Sequence, residues 1–154
     1  MTADYCDIAL IFQSGFRRCD LALGPDGDLV MDLTPVTPML TSTGSDRRAR
    51  PDDDLPTGVT TMNAPSSFIE RRGWVGDCLD DQGRLLGSRL WLLDRNKQTE
   101  NTRRFAEIWA EESLAWVAEE TGTPAQVSAQ WIRRNVLALT CSIGNDSLTI
   151  QRPV

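Results

Sequence analysis

Histidine is absent from this sequence of 154 residues. Without an imidazole, the chain lacks the usual general base near neutral pH and the commonest side-chain ligand of transition metals. Catalysis by a serine–histidine or cysteine–histidine pair is therefore excluded. No other convergent set of polar residues stands out, so we predict that the protein is not an enzyme and that it holds no cofactor and no metal.

Lysine is nearly absent too, since Lys97 stands alone beside fifteen arginines. The formal net charge is −6, which argues against nucleic acid as a partner, because nucleic-acid-binding domains carry a clustered basic excess. No apolar run approaches the ~20 residues needed to cross a bilayer, and the N-terminus lacks the positively charged start of a secretion signal. We therefore expect no membrane association and a protein made in the cytosol.

Cysteine is scarce and scattered, at Cys6, Cys19, Cys78 and Cys141. The spacing fits neither a zinc site nor a redox dithiol. Cys6 and Cys141 lie in apolar, strand-like runs. We therefore predict buried, reduced thiols.

The N-terminal part of the chain carries strand and turn signals. We expect one domain over residues 1–154, with an irregular segment at 45–66 as its candidate mobile loop. The apolar run DIALIF at 7–12 predicts a strand, and Pro25-Asp26-Gly27 predicts the turn of a β-hairpin. Thr34 and Pro35 predict the start of a short helix that ends at Gly44.

The strongest helical pattern runs from Glu100 to Glu120, with Thr99 as its N-cap and Gly122 just past its end. One apolar stripe lies at helical spacing and should face the core. Its residues are Phe105, Trp109, Ser113, Trp116 and Val117, and Ala106 and Ala110 widen it.

After the helix, the pattern returns to the period of two that is typical of strands. Residues 127–131, 137–143 and 148–150 predict a three-stranded meander whose last, short strand lies at an open edge. The fold class is therefore α+β, with a mostly antiparallel sheet packed by one long amphipathic helix and an irregular middle segment.

Two segments combine tryptophan, arginine and glycine outside the strong helix and strands. They are RRGWVGD at 71–77 and GSRLW at 87–91, and the second begins an apolar run for which we predict one or two helical turns. Tryptophan and arginine contribute much of the binding energy at protein interfaces. One interpretation is that Trp74 anchors a docking loop. The alternative is that Trp74 closes over its own core while Arg71 or Arg72 pairs with the acidic block at 52–54, which we otherwise expect to be a solvated loop.

In their order along the chain, these segments resemble the Mu-like phage tail baseplate wedge family. The most specific matches are Arg71-Arg72-Gly73-Trp74 with Gly76-Asp77, and the run GSRLWLL at 87–93. The segment SDRRARPDDD at 45–54 supports them. The family is related to the sheath-initiator wedge proteins of contractile tails and of type VI secretion baseplates. This chain departs from it in having Val75 in place of a second tryptophan and prolines at 35 and 38.

The resemblance implies a structural virion protein, present in several copies, with six expected, around the tail tube. Its implied partners are larger wedge proteins and the tail sheath, with the tube or hub as a further candidate. The C-terminal strand would pair with strands of a partner. The residues that we expect to bind partners are Arg47, Arg48, Arg71, Arg72, Trp74, Asp77, Arg89, Trp91, Leu148 and Ile150.

Two other functions stay open on the sequence. One is a cytosolic adaptor or regulator that uses the same fold as a binding module, because a fold does not fix a function. The other is a tail-associated hydrolase that would depend on Asp53 or Asp54 in the carboxylate-rich loop.

Overall fold

The computed structural model describes residues 5–13, 15–16, 18–58 and 69–154. The α+β class predicted from the sequence is confirmed, since helices and several antiparallel sheets alternate along the chain. No helix within the described ranges is long and apolar enough to cross a membrane.

The chain begins with a two-stranded ribbon in which one strand pairs with two successive segments. Strands β1 (Asp7–Ile8) and β2 (Leu10–Gln13) continue each other, as the run at 7–12 predicted. Strand β3 (Arg18–Leu21) pairs with β2, and β4 (Met31–Asp32) pairs with β1. Between β3 and β4 the predicted turn is present, closed by the Gly24 amide, which donates to the Asp28 carbonyl at 2.7 Å. We call residues 7–13 and 18–32 the N-terminal ribbon.

Helix α1 (Val36–Gly44) ends where Gly44 predicted, but it begins one residue later than predicted, because Pro35 and not Thr34 is its N-cap. The carboxylate of Asp32 accepts hydrogen bonds from the amides of Thr34 and Thr37, at 2.9 and 3.1 Å, and thereby satisfies donors at the start of the helix. Burial acts to raise the pKa of Asp32, but these hydrogen bonds and those from the two hydroxyls outweigh it and lower that pKa.

The predicted long helix is divided in two. Helix α2 spans Glu100–Ser113 and α3 spans Ala115–Thr121, with the break at Leu114. The two predicted caps are confirmed, because the Thr99 hydroxyl accepts from the Thr102 amide and Gly122 is left-handed at φ 75°. At the break, the Leu114 amide is shared between the carbonyls of Ala110 and Glu111. The turn therefore tightens and the helix does not continue as one rod.

The predicted apolar stripe of this helix is confirmed except at its first residue. Ala106, Ala110, Ser113 and Val117 are buried together with Leu114, which the predicted stripe did not include, whereas Phe105 is 48% exposed. Small alanines let the helix backbone approach the sheet closely. The bulky rings of Trp109 and Trp116 then pack at the flanks of the core.

The C-terminal meander is confirmed, with strands β5 (Gln126–Arg133), β6 (Val136–Ile143) and β7 (Asp146–Pro153) in that spatial order. Strand β7 is eight residues long, and thus longer than the short strand predicted. Leu148 and Ile150 pack against the main core, so one face of β7 is covered. Its outer edge pairs with no strand in the part of the chain that the structure describes.

The middle segment is irregular in hydrogen bonding but closely tied to the rest. Its two short helices are both of the 3₁₀ type, at Val75–Leu79 and Arg89–Leu93, and only the second was predicted. A second small core joins Ala49, Leu55, Trp91 and Leu92. Residues 45–58 are therefore held against the domain, while the rest of the candidate mobile loop, 59–66, lies outside the described residues.

The cysteines divide three to one. Cys6, Cys19 and Cys78 are exposed and free, which corrects the prediction that all four are buried. Cys141 is buried in β6, and burial raises the pKa of its thiol to about 11.

Candidate docking surface

The Trp74 side chain lies at the surface of the domain and packs on the backbone two residues further along the chain. The side chain is 56% exposed, so it does not close over the core as one interpretation of the sequence had it. Part of its ring lies over Gly76, where an added Cβ atom would come within 2.3 Å of ring carbon Cη2. The indole can therefore pack directly on the backbone of Gly76, because no side chain stands in its place, and the rest of the ring stays exposed to solvent.

The chain just before Trp74 approaches a neighbouring segment equally closely. Gly73 has a φ of +96°, and a Cβ there would lie 2.8 Å from the Cβ of Arg48. Both the backbone conformation and the lack of space demand glycine. These two contacts fix how far Trp74 stands out from the segment at 45–54.

Several exposed apolar side chains lie in the same irregular stretch as Trp74. Val75 is 70% exposed and Leu79 is 84% exposed, and Ile69 and Leu85 are also exposed. Two grooves flank the indole, of about 390 Å³ on the side of Arg72 and Leu86 and about 440 Å³ on the side of Val75 and Cys78. We call Trp74 and its neighbours in the second groove, Val75 and Leu85, the Trp74 surface. Sequence reasoning missed all of them but Trp74. The sequence feature that could have identified them is a group of apolar residues that follow neither helical nor strand periodicity.

Arg71 and Arg72 are engaged within the chain. The Arg71 side chain is buried and donates to the carbonyls of Arg50 and Pro51, and not to the acidic side chains at 52–54. Arg72 donates to the Asp46 carboxylate at 2.7 Å, and its guanidinium carbon lies 4.4 Å from the centre of the Trp91 ring. Arg71 therefore has a structural role, whereas the partly exposed Arg72 borders the first groove.

The second predicted segment lies inside the fold. Trp91 is only 2% exposed and donates from Nε1 to the Arg47 carbonyl at 2.8 Å, and Arg89 is also buried. This corrects the expectation that Arg89 and Trp91 sit in an exposed docking loop. Both side chains are used to hold the segment at 45–54 against the domain.

Arg89 is the centre of a buried ionic cluster. It donates to both oxygens of Asp53, at 2.8 and 3.1 Å, and twice to Oε2 of Glu112, at 3.0 and 2.8 Å. Arg50 and Arg47 approach Oε1 of the same glutamate, at 2.5 and 3.5 Å. Burial acts to raise the pKa of Glu112, but the hydrogen bonds and positive charges of these arginines outweigh it and lower that pKa. The acidic block is therefore anchored at Asp53 and is not simply a solvated loop.

The remaining predicted residues are divided among different surfaces. Arg47 and Arg48 are half-buried, and the Arg47 guanidinium also donates to the Leu85 carbonyl at 2.7 Å. Asp77 accepts from the Leu86 amide at 3.0 Å and so closes the loop below Trp74. Leu148 and Ile150 lie on β7, with their side chains on the core. The structure thus brings Trp74, Arg72 and Asp77 together and leaves β7 as a separate candidate site.

The described residues contain no group of three or more histidine, cysteine, aspartate or glutamate side chains placed to hold a metal ion. The Trp74 surface and its border offer a partner an indole, aliphatic side chains, and the partly exposed guanidinium and carboxylate of Arg72 and Asp46.

The family model described as Phage protein GP46 matches residues 35–148. The chain is 39% identical over 132 residues to "Baseplate protein gp46" of Escherichia phage Mu, covering 85% of this chain and 78% of that protein. It is 28% identical over 134 residues to "Mu-like prophage FluMu protein gp46" of Haemophilus influenzae, covering 86% and 82% respectively. No solved structure matches the chain.

Proposed function

The chain belongs to the phage protein GP46 family, and from this membership we propose that it is a structural component of a phage tail baseplate. The observation that carries the proposal is the 39% identity, over 85% of the chain, to a protein named as a baseplate protein. Its place would be the tail baseplate of the virion, after assembly in the host cytoplasm.

Within the baseplate, the role that we propose is that of a small wedge protein of a contractile tail. Several copies, with six expected, would join larger wedge subunits around the tail tube and help to initiate the sheath. This finer role is supported by the sequence resemblance to wedge proteins and by an exposed apolar surface built on a rigid scaffold. Such surfaces on soluble proteins usually mark sites of protein–protein contact.

The proposed contact with a larger wedge subunit is the Trp74 surface. An indole that is held on one side and free on the other loses little conformational entropy on binding, which favours it as an anchor. The two flanking grooves would accept apolar side chains of the partner. Arg72 and Asp46 form an ion pair at the border of the first groove, which a partner's polar groups would extend.

The proposed contact with the sheath is the outer edge of β7. An unpaired strand edge offers a row of amide and carbonyl groups to which an extended segment can add. The side chains of Leu148 and Ile150 are turned toward the core, so they would support β7 in position and would not touch the added strand face to face.

We also propose that the protein has no catalytic activity. One support is the absence of histidine from the sequence. The other is that both carboxylate oxygens of Asp53 accept hydrogen bonds from Arg89. A hydrolase that depended on Asp53 would first have to break this buried ion pair.

The test is complementation of a phage that lacks the gene for this chain. We expect the deletion to give tails without a functional baseplate, and a tagged copy to restore them and to co-purify with intact tails at a fixed stoichiometry. If infective tails assemble without the chain, or if the tagged copy is found only in the cytosolic fraction, the baseplate role is wrong. The second result would instead support the cytosolic adaptor.

A further inference from the structure

The N-terminal ribbon projects from the domain without a core of its own. No residue from 5 to 34 within the described ranges is buried. Its attachments to the domain include the Asp32 hydrogen bonds to Thr34 and Thr37 and a hydrogen bond from the Leu10 amide to the Thr37 hydroxyl, at 3.3 Å. A two-stranded ribbon is only marginally stable in water unless something packs against it.

The strand register separates the ribbon into an apolar and a polar face. The pairs Ile8–Met31, Leu10–Leu21 and Phe12–Cys19 follow one another at every second position, so they share one face. Phe12 is 63% exposed on this face although it is a large aromatic. The pairs of the opposite face are Asp7–Asp32, Ile11–Asp20 and Gln13–Arg18.

The apolar face borders an unfilled groove. This groove has a volume of about 720 Å³ and is lined by Leu10, Phe12 and Cys19 from the ribbon, Val36 and Leu40 from α1, and residues 148–151 of β7. The ribbon and the domain therefore face each other across this groove, and both contribute apolar side chains to its lining.

Charge indicates what kind of molecule fills the space. Residues 6–33 contain five aspartates and two arginines, a net charge of −3. Asp7 lies directly opposite Asp32 in the register, and none of the ion pairs of the described residues includes either carboxylate. Like charges in directly opposed positions destabilise a strand pair. Asp32 is compensated by hydrogen bonds from Thr34 and Thr37. Among the described residues, Asp7 accepts a hydrogen bond only from the amide of the next residue, so a cation from outside the chain would reduce the repulsion between the two carboxylates. A second copy would bring the same acidic ribbon and add to the repulsion.

We propose that the N-terminal ribbon and the groove beneath it form a second docking surface, distinct from the Trp74 surface. Its occupant is an apolar segment of a neighbouring baseplate protein bordered by arginine or lysine. The apolar side chains of this segment fill the groove against Phe12 and Leu40. Its basic residues reach past the edge of the ribbon to the opposite face, where they neutralise Asp7 and Asp32. The identification of the partner as a baseplate protein rests on the proposed function. Since the family match begins at residue 35, the ribbon would give this chain a contact beyond the matched part.

The experiment measures the binding of the labelled, purified full chain to baseplate subassemblies isolated from cells in which a phage that lacks its gene is growing. Two variants alter the ribbon, Phe12→Ser with Leu21→Ser on the apolar face and Asp7→Lys on the acidic face. The matched controls are Ile108→Ser, an exposed apolar residue on α2, and Asp52→Lys, an exposed aspartate outside the ribbon. We expect each ribbon variant to bind at least about 10-fold more weakly and each control to bind like the wild type, with unchanged unfolding midpoints.

The other outcomes distinguish this proposal from the function on which it rests. If the wild type joins the baseplates and the ribbon variants join equally well, the docking role of the ribbon is wrong while the baseplate role stands. If the wild type does not join at all, both are overturned. A wild-type dimer on sizing that the Phe12→Ser/Leu21→Ser variant dissociates would also overturn the proposal, because a second copy would then cover the face.

Discussion

The guanidinium of Arg89 holds Oε2 of Glu112 through two hydrogen bonds, at 3.0 and 2.8 Å, in the interior of the domain. Without Arg89, Glu112 keeps only Arg50 and the more distant Arg47 among its described partners, and Asp53 loses the donor to both of its oxygens. Breaking such a buried cluster costs about 3 kcal/mol of unfolding free energy. We therefore expect Arg89→Ala to destabilise the protein by about that amount in chemical denaturation. Asp20→Ala, which removes an exposed ion pair with Arg18, is the matched control and should change stability by less than about 1 kcal/mol.

The same glutamate makes stability depend on pH. Its pKa is lowered in the folded protein from the usual 4.5, so its contribution to stability is present above that value and is lost as the pH falls through the folded pKa. We expect the unfolding free energy of the wild type to decrease below about pH 4.5, and that of Glu112→Gln to decrease less steeply over the same range. Parallel pH profiles of the two proteins would show that Glu112 does not contribute to the acid sensitivity.

Trp74→Ala should separate folding from assembly. Because the indole is more than half exposed, we expect its removal to change the unfolding free energy by less than about 1 kcal/mol. The loss of an anchoring aromatic should weaken binding to the larger wedge subunits by at least about 2 kcal/mol, measured by co-purification or titration. Ile108→Ala removes a similarly exposed side chain from α2 and should bind normally. Normal binding by a folded Trp74→Ala protein would contradict the docking role.

The two edges of the C-terminal sheet offer a matched test of strand addition. Deletion of 144–154 is unsuitable, because it would remove Leu148 and Ile150 from the core. Ser147→Lys places a charge on an exposed position of β7 that does not line the groove beneath the ribbon, and Ser128→Lys does the same on β5 at the opposite edge. We expect only the β7 variant to fail to nucleate sheath polymerisation. Equal nucleation by both variants would exclude the β7 edge as the site.

Thiol reactivity should divide the cysteines three to one. Cys6, Cys19 and Cys78 are exposed and should react rapidly with a thiol reagent in the native protein. Cys141 is buried with its pKa raised to about 11, so it should react only on unfolding. Mass spectrometry of the labelled protein checks this, with Cys141→Ala as the control. Rapid labelling of position 141 would contradict its packing in β6.

The sequence predicted the elements of the fold well where short-range patterns determine them. The caps at Thr99 and Gly122, the end of α1 at Gly44 and the three C-terminal strands all follow from local residue types. The break at Leu114 does not, because the helical pattern continues through it and only the sharing of its amide between two carbonyls ends α2.

The candidate site was less predictable, as the two tryptophans show. Both Trp74 and Trp91 have arginine and glycine nearby, yet one is exposed and the other buried. Trp91 is buried by a hydrogen bond to Arg47 and by the stacked guanidinium of Arg72, contacts across 44 and 19 positions. Such long-range contacts leave no periodicity in the sequence, so residue type alone could not distinguish an anchor for the fold from one for a partner.

Glu112 also constrains the order in which the chain can acquire its structure. Its partners Arg50 and Arg89 lie 62 and 23 positions away along the chain, whereas α2 and the meander form from neighbours. Distant contacts must first overcome the entropy of closing a long loop, so they form late. The segment that carries Arg50 and Asp53 would thus form its ion pairs with the rest of the domain only after the C-terminal half has folded. During translation, the N-terminal half of the chain would therefore stay incompletely folded until Glu112 has emerged from the ribosome.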